Sequence, residues 1–199
     1  MTVAVLFAYA DGCYAGVPGV ELWDIKRDAR NYAGPWPVVA HPPCSRWCRL
    51  AAVNEKRWGA MRGDDGGCFG SALNSVRAWG GVLEHPAYTD AWQAFGLARP
   101  HGSGWQATID GGWVCHVEQA HYGHRAKKAT WLYAYGVDSP PRLVWGSSGR
   151  AEALVSACAN HTDPNDDRPR IMKREAATTP PKFRDMLLSI ARSVRREAA

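Results

Sequence analysis

A buried strand cut short by two prolines constrains this chain more than any other feature. Residues 37–50 read Pro-Val-Val-Ala-His-Pro-Pro-Cys-Ser-Arg-Trp-Cys-Arg-Leu. The run Val38-Val39-Ala40 shows no polar alternation, as expected of a strand covered on both faces. Pro42 and Pro43 then remove two backbone donors and fix φ twice. The strand cannot continue, and Cys44 is presented on a stiff turn at its carboxyl end. A buried, inert thiol on a plain Pro-Pro turn is the bland alternative. A second strand decides between them: Gly81-Val-Leu-Glu84 is again apolar, again stops at a reactive group and is again followed by a proline, at His85-Pro86.

Other segments supply the rest of a sheet. Thr2 to Ala8 is a dense apolar strand, and Val20 to Asp24 a second short one after the Gly-rich loop 11–19. Helical spacing predicts helices over 55–62, 69–79 and 87–95, with Leu73, Val76 and Trp79 on one face of the second. Strands follow over 113–119 and 130–135, joined by the basic turn 121–128. Residues 139–170 dissolve into Pro, Gly, Asp and Asn, apart from an expected helical stretch over 151–157. The end of the chain is clear again: Phe183, Met186, Leu187, Ile190, Ala191 and Val194 share one helical face behind Thr178-Thr-Pro-Pro181. Strands alternating with helices predict a single Rossmann-like α/β domain over 1–199 with a largely parallel sheet. In such folds sites lie outside the carboxyl ends of the strands, where Cys44 and Glu84 both fall. The final helix is expected to pack back near the first strand.

Composition narrows the partners. A formal net charge of +5 suits a polyanion, and ten tryptophans, several beside Gly, Pro or basic residues, offer aromatic faces for a base. Core and rim packing accounts for most of those tryptophans, and a solvated helix end for the basic C-terminus. The six cysteines form no paired CxxC framework, so no metal site is expected. No apolar run reaches the ~18–20 residues of a membrane span, and the N-terminus has no basic n-region or long apolar core. A cytoplasmic location with reduced thiols and no membrane partner is the expectation.

A cysteine and a carboxylate at adjacent strand ends, near a basic turn, suit chemistry on a pyrimidine. A thiolate adds to C6 of the ring and makes C5 nucleophilic, and an acid at N3 drains the charge. Basic side chains then hold a phosphate or the base oxygen.

These residues resemble the DNA cytosine-5 methyltransferase family, in that family's order. Ala40-His-Pro-Pro-Cys-Ser-Arg-Trp-Cys48 is similar to its Pro-Cys nucleophile loop, and Leu83-Glu-His-Pro86 to its Glu-Asn segment. Tyr122 to Leu132 resembles its Gln-x-Arg-x-Arg strand, with Lys128 at the first arginine but Ala126 and Thr130 replacing the glutamine and the second arginine. Val5-Leu-Phe-Ala8 resembles its opening strand, and Thr178 to Phe183 its final Pro-Pro segment. The resemblance implies Cys44 as nucleophile, Glu84 at N3 and Lys128 beside them. It implies S-adenosylmethionine as cofactor, held by Phe7, Trp23, Asp24, Pro43 and Thr179. DNA or a pyrimidine nucleotide would be the substrate, held by Arg46, Trp47, His85, Arg125 and Lys127.

The departures fall on the donor side. Tyr9-Ala-Asp-Gly12 lacks the family's first loop glycine, and residues 24–44 leave little room for its second helix and third strand. Residues 139–170 form an irregular insertion in place of a target-recognition domain. The same covalent chemistry with another donor or on a nucleotide, and a silent nucleic-acid-binding descendant, are the alternatives.

Overall fold

A computed structural model describes residues 1–48, 51–155 and 166–195. The strands are β1 (Val3–Leu6), β2 (Val20–Trp23), β3 (Val38–Ala40), β4 (Gly81–Pro86), β5 (Gln106–Ala107), β6 (Trp113–Glu118), β7 (Ala129–Tyr135), β8 (Leu154–Val155) and β9 (Arg170–Ile171). The helices are α1 (Ala51–Trp58), α2 (Cys68–Trp79), α3 (Asp90–Ala94), α4 (Lys173–Ala177) and α5 (Pro181–Arg192). Short 3-10 turns lie at Ala29–Asn31 and Gln119–Tyr122.

Seven strands form one sheet in the order β2-β1-β3-β4-β7-β6-β5. The half from β2 to β4 is parallel throughout. β7 enters antiparallel to β4, and β6 antiparallel to β7, so β6 runs with the parallel set and only β7 and β5 oppose it. This is the Rossmann-like, mostly parallel sheet that the apolar runs predict. Among the described residues no strand lies beyond β2, in keeping with the short 24–44 connection.

The central strands β1, β3, β4 and β7 bury both faces. Leu6, Ala40, Leu83 and Tyr133 join the cluster under α2 and α3, with Phe69, Leu73 and Trp92. Val5, Val39, Val82 and Leu132 join the opposite cluster, with Phe183, Leu187 and Ile190 of α5. Those three side chains have no exposure, and at ~1.5–3 kcal/mol each they make α5 a structural element. The helix crosses β4, β3 and β1, the expected return to the first strand. Gly81 opens β4 at φ 127°, where a Cβ would stand 1.9 Å from the Val38 carbonyl oxygen, so only glycine lets β3 and β4 pair there.

Three expectations need correction. Residues 139–170 are not wholly irregular, since β8 pairs in parallel with β9 as a small second sheet. The helix expected over 151–157 is strand at Leu154–Val155, and residues 156–157 lie outside the described residues. The helix expected over 55–62 begins earlier, at Ala51, and stops at Trp58 before Gly59. Among the described residues no helix is long and apolar enough to cross a membrane.

Candidate active site

Strand parity places the site. Leu83 faces α2, so Glu84, the next residue in β4, faces α5, and His85 turns back toward α2. His41 follows Ala40 by the same parity and comes level with Glu84 on the α5 side. There the His41 Nδ1–H donates to Glu84 Oε2 at 2.9 Å. Tyr14, from the loop after β1, closes over the pair with its hydroxyl 2.8 Å from His41 Nε2. Gln119, at the carboxyl end of β6, donates from Nε2 to Glu84 Oε1 and to Thr130 Oγ1, each at 3.0 Å.

The polarity of this chain follows from its fixed members. Thr130 donates its hydroxyl proton to the Lys128 carbonyl, so it accepts from Gln119. An ionised carboxylate only accepts, so both Gln119 and His41 must donate to it. Burial alone would raise the Glu84 pKa. The His41 hydrogen bond and the positive charges of His41, Lys128 and His85 outweigh burial and hold it at about 2. Glu84 is therefore a carboxylate with both oxygens occupied, not the free proton donor its place in the sequence suggests. Gln119 Oε1 is left as a buried acceptor without a partner.

Lys128 supplies the counter-charge. It precedes β7 in a left-handed conformation, φ 44°, an unusual one for a side-chain-bearing residue. Its Nζ donates to the carbonyls of Ala177 and Thr178 at 3.1 and 2.8 Å, tying the basic turn to the segment that enters α5. Burial lowers its pKa against the opposing pull of Glu84, Cys44 and Cys13.

Cys44 stands half-buried in the loop after β3, where its carbonyl accepts from the amides of Trp47 and Cys48 at 3.0 Å each. Burial raises the thiol pKa, Cys48 and Glu84 add to the rise, and its own amide and Lys128 oppose it. The thiol thus feels both Glu84 and Lys128, and the three residues expected to be catalytic share one electrostatic cluster. Burial outweighs the pull of Lys128, so the Cys44 side chain rests as a thiol.

The expected cofactor residues line the carboxyl edge of β1, β2 and β3 but are engaged from within. The Arg27 guanidinium lies 4.0 Å over the Trp23 ring, Tyr32 meets it edge-on at 5.2 Å, and its indole N–H is bonded to Glu21. Asp24 Oδ1 caps the turn at Lys26 and Arg27. Phe7 leaves β1 at φ 61° and packs on the core. Pro43 is exposed, and Thr179 directly follows the carbonyls taken by Lys128. Arg27 and Tyr32 thus cover the ring expected to face adenine, while the carboxylate expected to hold the ribose spends only Oδ1 on its turn.

The expected substrate residues are not brought together. Trp47 is a core residue, 8% exposed, with its indole N–H on Asp65 at 2.8 Å. His85 is fully buried on the opposite face, between Phe69 and Trp92. Arg125 pairs with Glu175, and Lys127 with Ser147 and Glu118. Arg46 alone keeps a place beside Cys44. Among the described residues no group of three or more His, Cys, Asp or Glu is placed to hold a metal.

The sequence marks neither Tyr14 nor Gln119 as a site residue, Thr130 enters it only as a replacement for the family's second arginine, and His41 only as part of the loop that carries Cys44. Strand parity was the available signal for His41 and Thr130. Nothing local marked Tyr14, which reaches the site from a loop. No family model matches the chain, and no curated protein or solved structure is significantly similar to it.

Proposed function

We propose that this site adds the Cys44 sulfur to C6 of a pyrimidine base, with Glu84 at N3 and Lys128 as counter-charge, and so opens C5 to an electrophile. The observation that carries the reading is the convergence of thiol, carboxylate and ammonium at one edge of the sheet. The step balances within the site and water. Sγ loses its proton and bonds C6, the C5=C6 pair moves through C4 to N3, and N3 takes a proton. Protonation at C5, loss of the original C5 hydrogen, and release of the N3 proton as the C5=C6 pair re-forms and expels the sulfur regenerate the base with a solvent hydrogen.

The resting state sets what the substrate must do. The Glu84 charge disfavours the Cys44 thiolate and the Lys128 charge favours it. A base that presents N3 to Glu84 displaces Gln119 or His41 and takes up the Glu84 charge in its own hydrogen bond. That weakens the repulsion and leaves Lys128 beside the sulfur. The Tyr14–His41 link is the proton route to Glu84, and the high pKa of buried Tyr14 keeps it a phenol throughout. The reading ends at an activated C5, whichever donor follows. It covers the nucleotide and alternative-donor variants as well as a methyltransferase-like reaction on DNA.

A second reading, a base-binding protein without turnover, draws on the resting thiol and the occupied carboxylate. One experiment separates the two. A strand carrying 5-azacytosine takes a proton at ring nitrogen 5 and needs no carbon donor. Intact-mass analysis should show a 1:1 adduct that maps to Cys44 and is absent in Cys44→Ser. Binding without any adduct would reject the covalent reading.

A further inference from the structure

Past the core residue Trp47, the described stretch 51–62 forms an excursion from the body of the protein. The excursion is pinned at its neck by the Gly63 amide on the Arg46 carbonyl at 2.9 Å and by the ion pair of Arg62 with Asp90. It carries α1, in which Ala51 is the only buried residue. Val53, Trp58 and Met61 are 43%, 64% and 61% exposed, an unusual density of large apolar side chains on one short projection. Val53, Lys56 and Arg57 stand at i, i+3 and i+4 and so share a face. Neither Lys56 nor Arg57 has an ion-pair partner among the described residues. At the neck, Arg46 Nη1 is buried with no acceptor, two residues from the nucleophile. A guanidinium nitrogen in that position calls for an anionic oxygen.

We infer that this projection is a binding surface for single-stranded nucleic acid, with a base stacked on Trp58 and backbone phosphates on Arg46, Lys56 and Arg57. The inference rests on the pyrimidine reading of the site for its choice of partner. Charge complementarity and the exposed indole favour it independently. Single-strand binding elsewhere combines these same two parts, a cationic track and aromatic faces for unpaired bases. A duplex offers its bases no route to an indole, so the surface takes an unpaired strand.

The test is fluorescence anisotropy of the full chain with a labelled oligopyrimidine strand, the matching duplex and, separately, anionic phosphatidylserine vesicles. The strand should bind more tightly than the duplex and quench tryptophan fluorescence. Trp58→Ala should weaken strand binding about 5- to 160-fold, the range for one lost base stack. The double variant Lys56→Ala with Arg57→Ala should also weaken it and make the dependence of log K on log salt shallower by about 1.4, at ~0.7 for each lost phosphate contact. All three side chains are exposed, and circular dichroism and thermal unfolding check that the fold is kept. Unchanged strand affinity in both variants, equal or tighter duplex binding, or vesicle binding in place of strand binding would each overturn the inference. The readout is independent of catalysis. A protein that formed no adduct yet bound strands through Trp58 would lose the covalent function and keep this surface.

Discussion

Replacing His85 by leucine should remove much of the protein's acid sensitivity. The imidazole is fully buried, neither ring nitrogen makes a hydrogen bond of good geometry, and aromatic rings wall it on the α2 side. Burial lowers its pKa from 6.5 to about 4, against the Glu84 charge and the Pro43 carbonyl, which favour the cation. Between those two values the unfolded chain binds a proton that the folded one refuses, so stability falls as the pH falls through this window. At about 1.4 kcal/mol for each pH unit, the descent from 6.5 to 4.5 removes on the order of 3 kcal/mol. His116 and His124 are also held low by burial and titrate in both proteins, so the difference between parent and variant reads His85 alone. Urea denaturation followed by tryptophan fluorescence at pH 7.5 and 4.5 measures it. With a slope of ~1–3 kcal/mol per molar urea, the parent midpoint should drop by about 1–3 M more than that of His85→Leu. At pH 7.5 the variant should be as stable as the parent or more so, since two unpaired buried nitrogens are gone. An equal acid loss in both proteins would refute the assignment of a buried neutral imidazole.

Further outcomes follow from the same geometry. Glu84 should extend the acid loss below that window. Its pKa is about 2 folded and 4.5 in its ordinary state, so its contribution is present above pH 4.5 and disappears as the pH falls toward 2, visible as continued destabilisation in His85→Leu. Glu84→Gln should slow adduct formation by ~10²–10⁴-fold and lower stability by about 1–3 kcal/mol, because its new N–H must face the donors of His41 or Gln119. Cys44 should react slowly with iodoacetamide at pH 7 and faster at each step in pH up to and beyond 9, as peptide mapping can follow; a plateau near neutral pH would mean a thiolate already formed. Phe183→Ala should cost about 3–5 kcal/mol in denaturant, the range for emptying a fully buried aromatic site under the sheet.

The sheet was legible because its strands are apolar on both faces. Val38 to Ala40 and Gly81 to Leu83 could hardly be anything else between their Gly and Pro punctuation, and α5 declares its buried face from Phe183 to Ile190. The short strands β8 and β9 were not legible. Two-residue strands carry no periodicity, and the surrounding Asp, Asn and Pro read as loop. At the site, Cys44 and Glu84 followed from where their strands end, and Lys128 from the resemblance of the segment 122–132. Protonation states did not. Whether Cys44 is thiol or thiolate depends on how deeply the loop is buried and which charges reach it, and the residues beside it in the chain carry neither. His41 turned to Glu84 instead, for a reason of parity rather than proximity in the chain. Trp47 and His85 show the limit of position relative to a motif. Each adjoins a site residue, and each points into the core on the other side of the sheet.

The measurement closest to the central claim is hydrogen exchange at C5 of a pyrimidine. Cytosine-containing strands and free deoxycytidine monophosphate, incubated with the protein in deuterium oxide, would be digested to nucleosides and weighed by mass spectrometry. Reversible addition of Cys44 to C6 predicts deuterium at C5 without any added methyl donor, faster as the pH rises through the neutral range, and none with Cys44→Ala. Exchange that persists in Cys44→Ala, or a parent protein that leaves C5 unlabelled on both substrates, would contradict it.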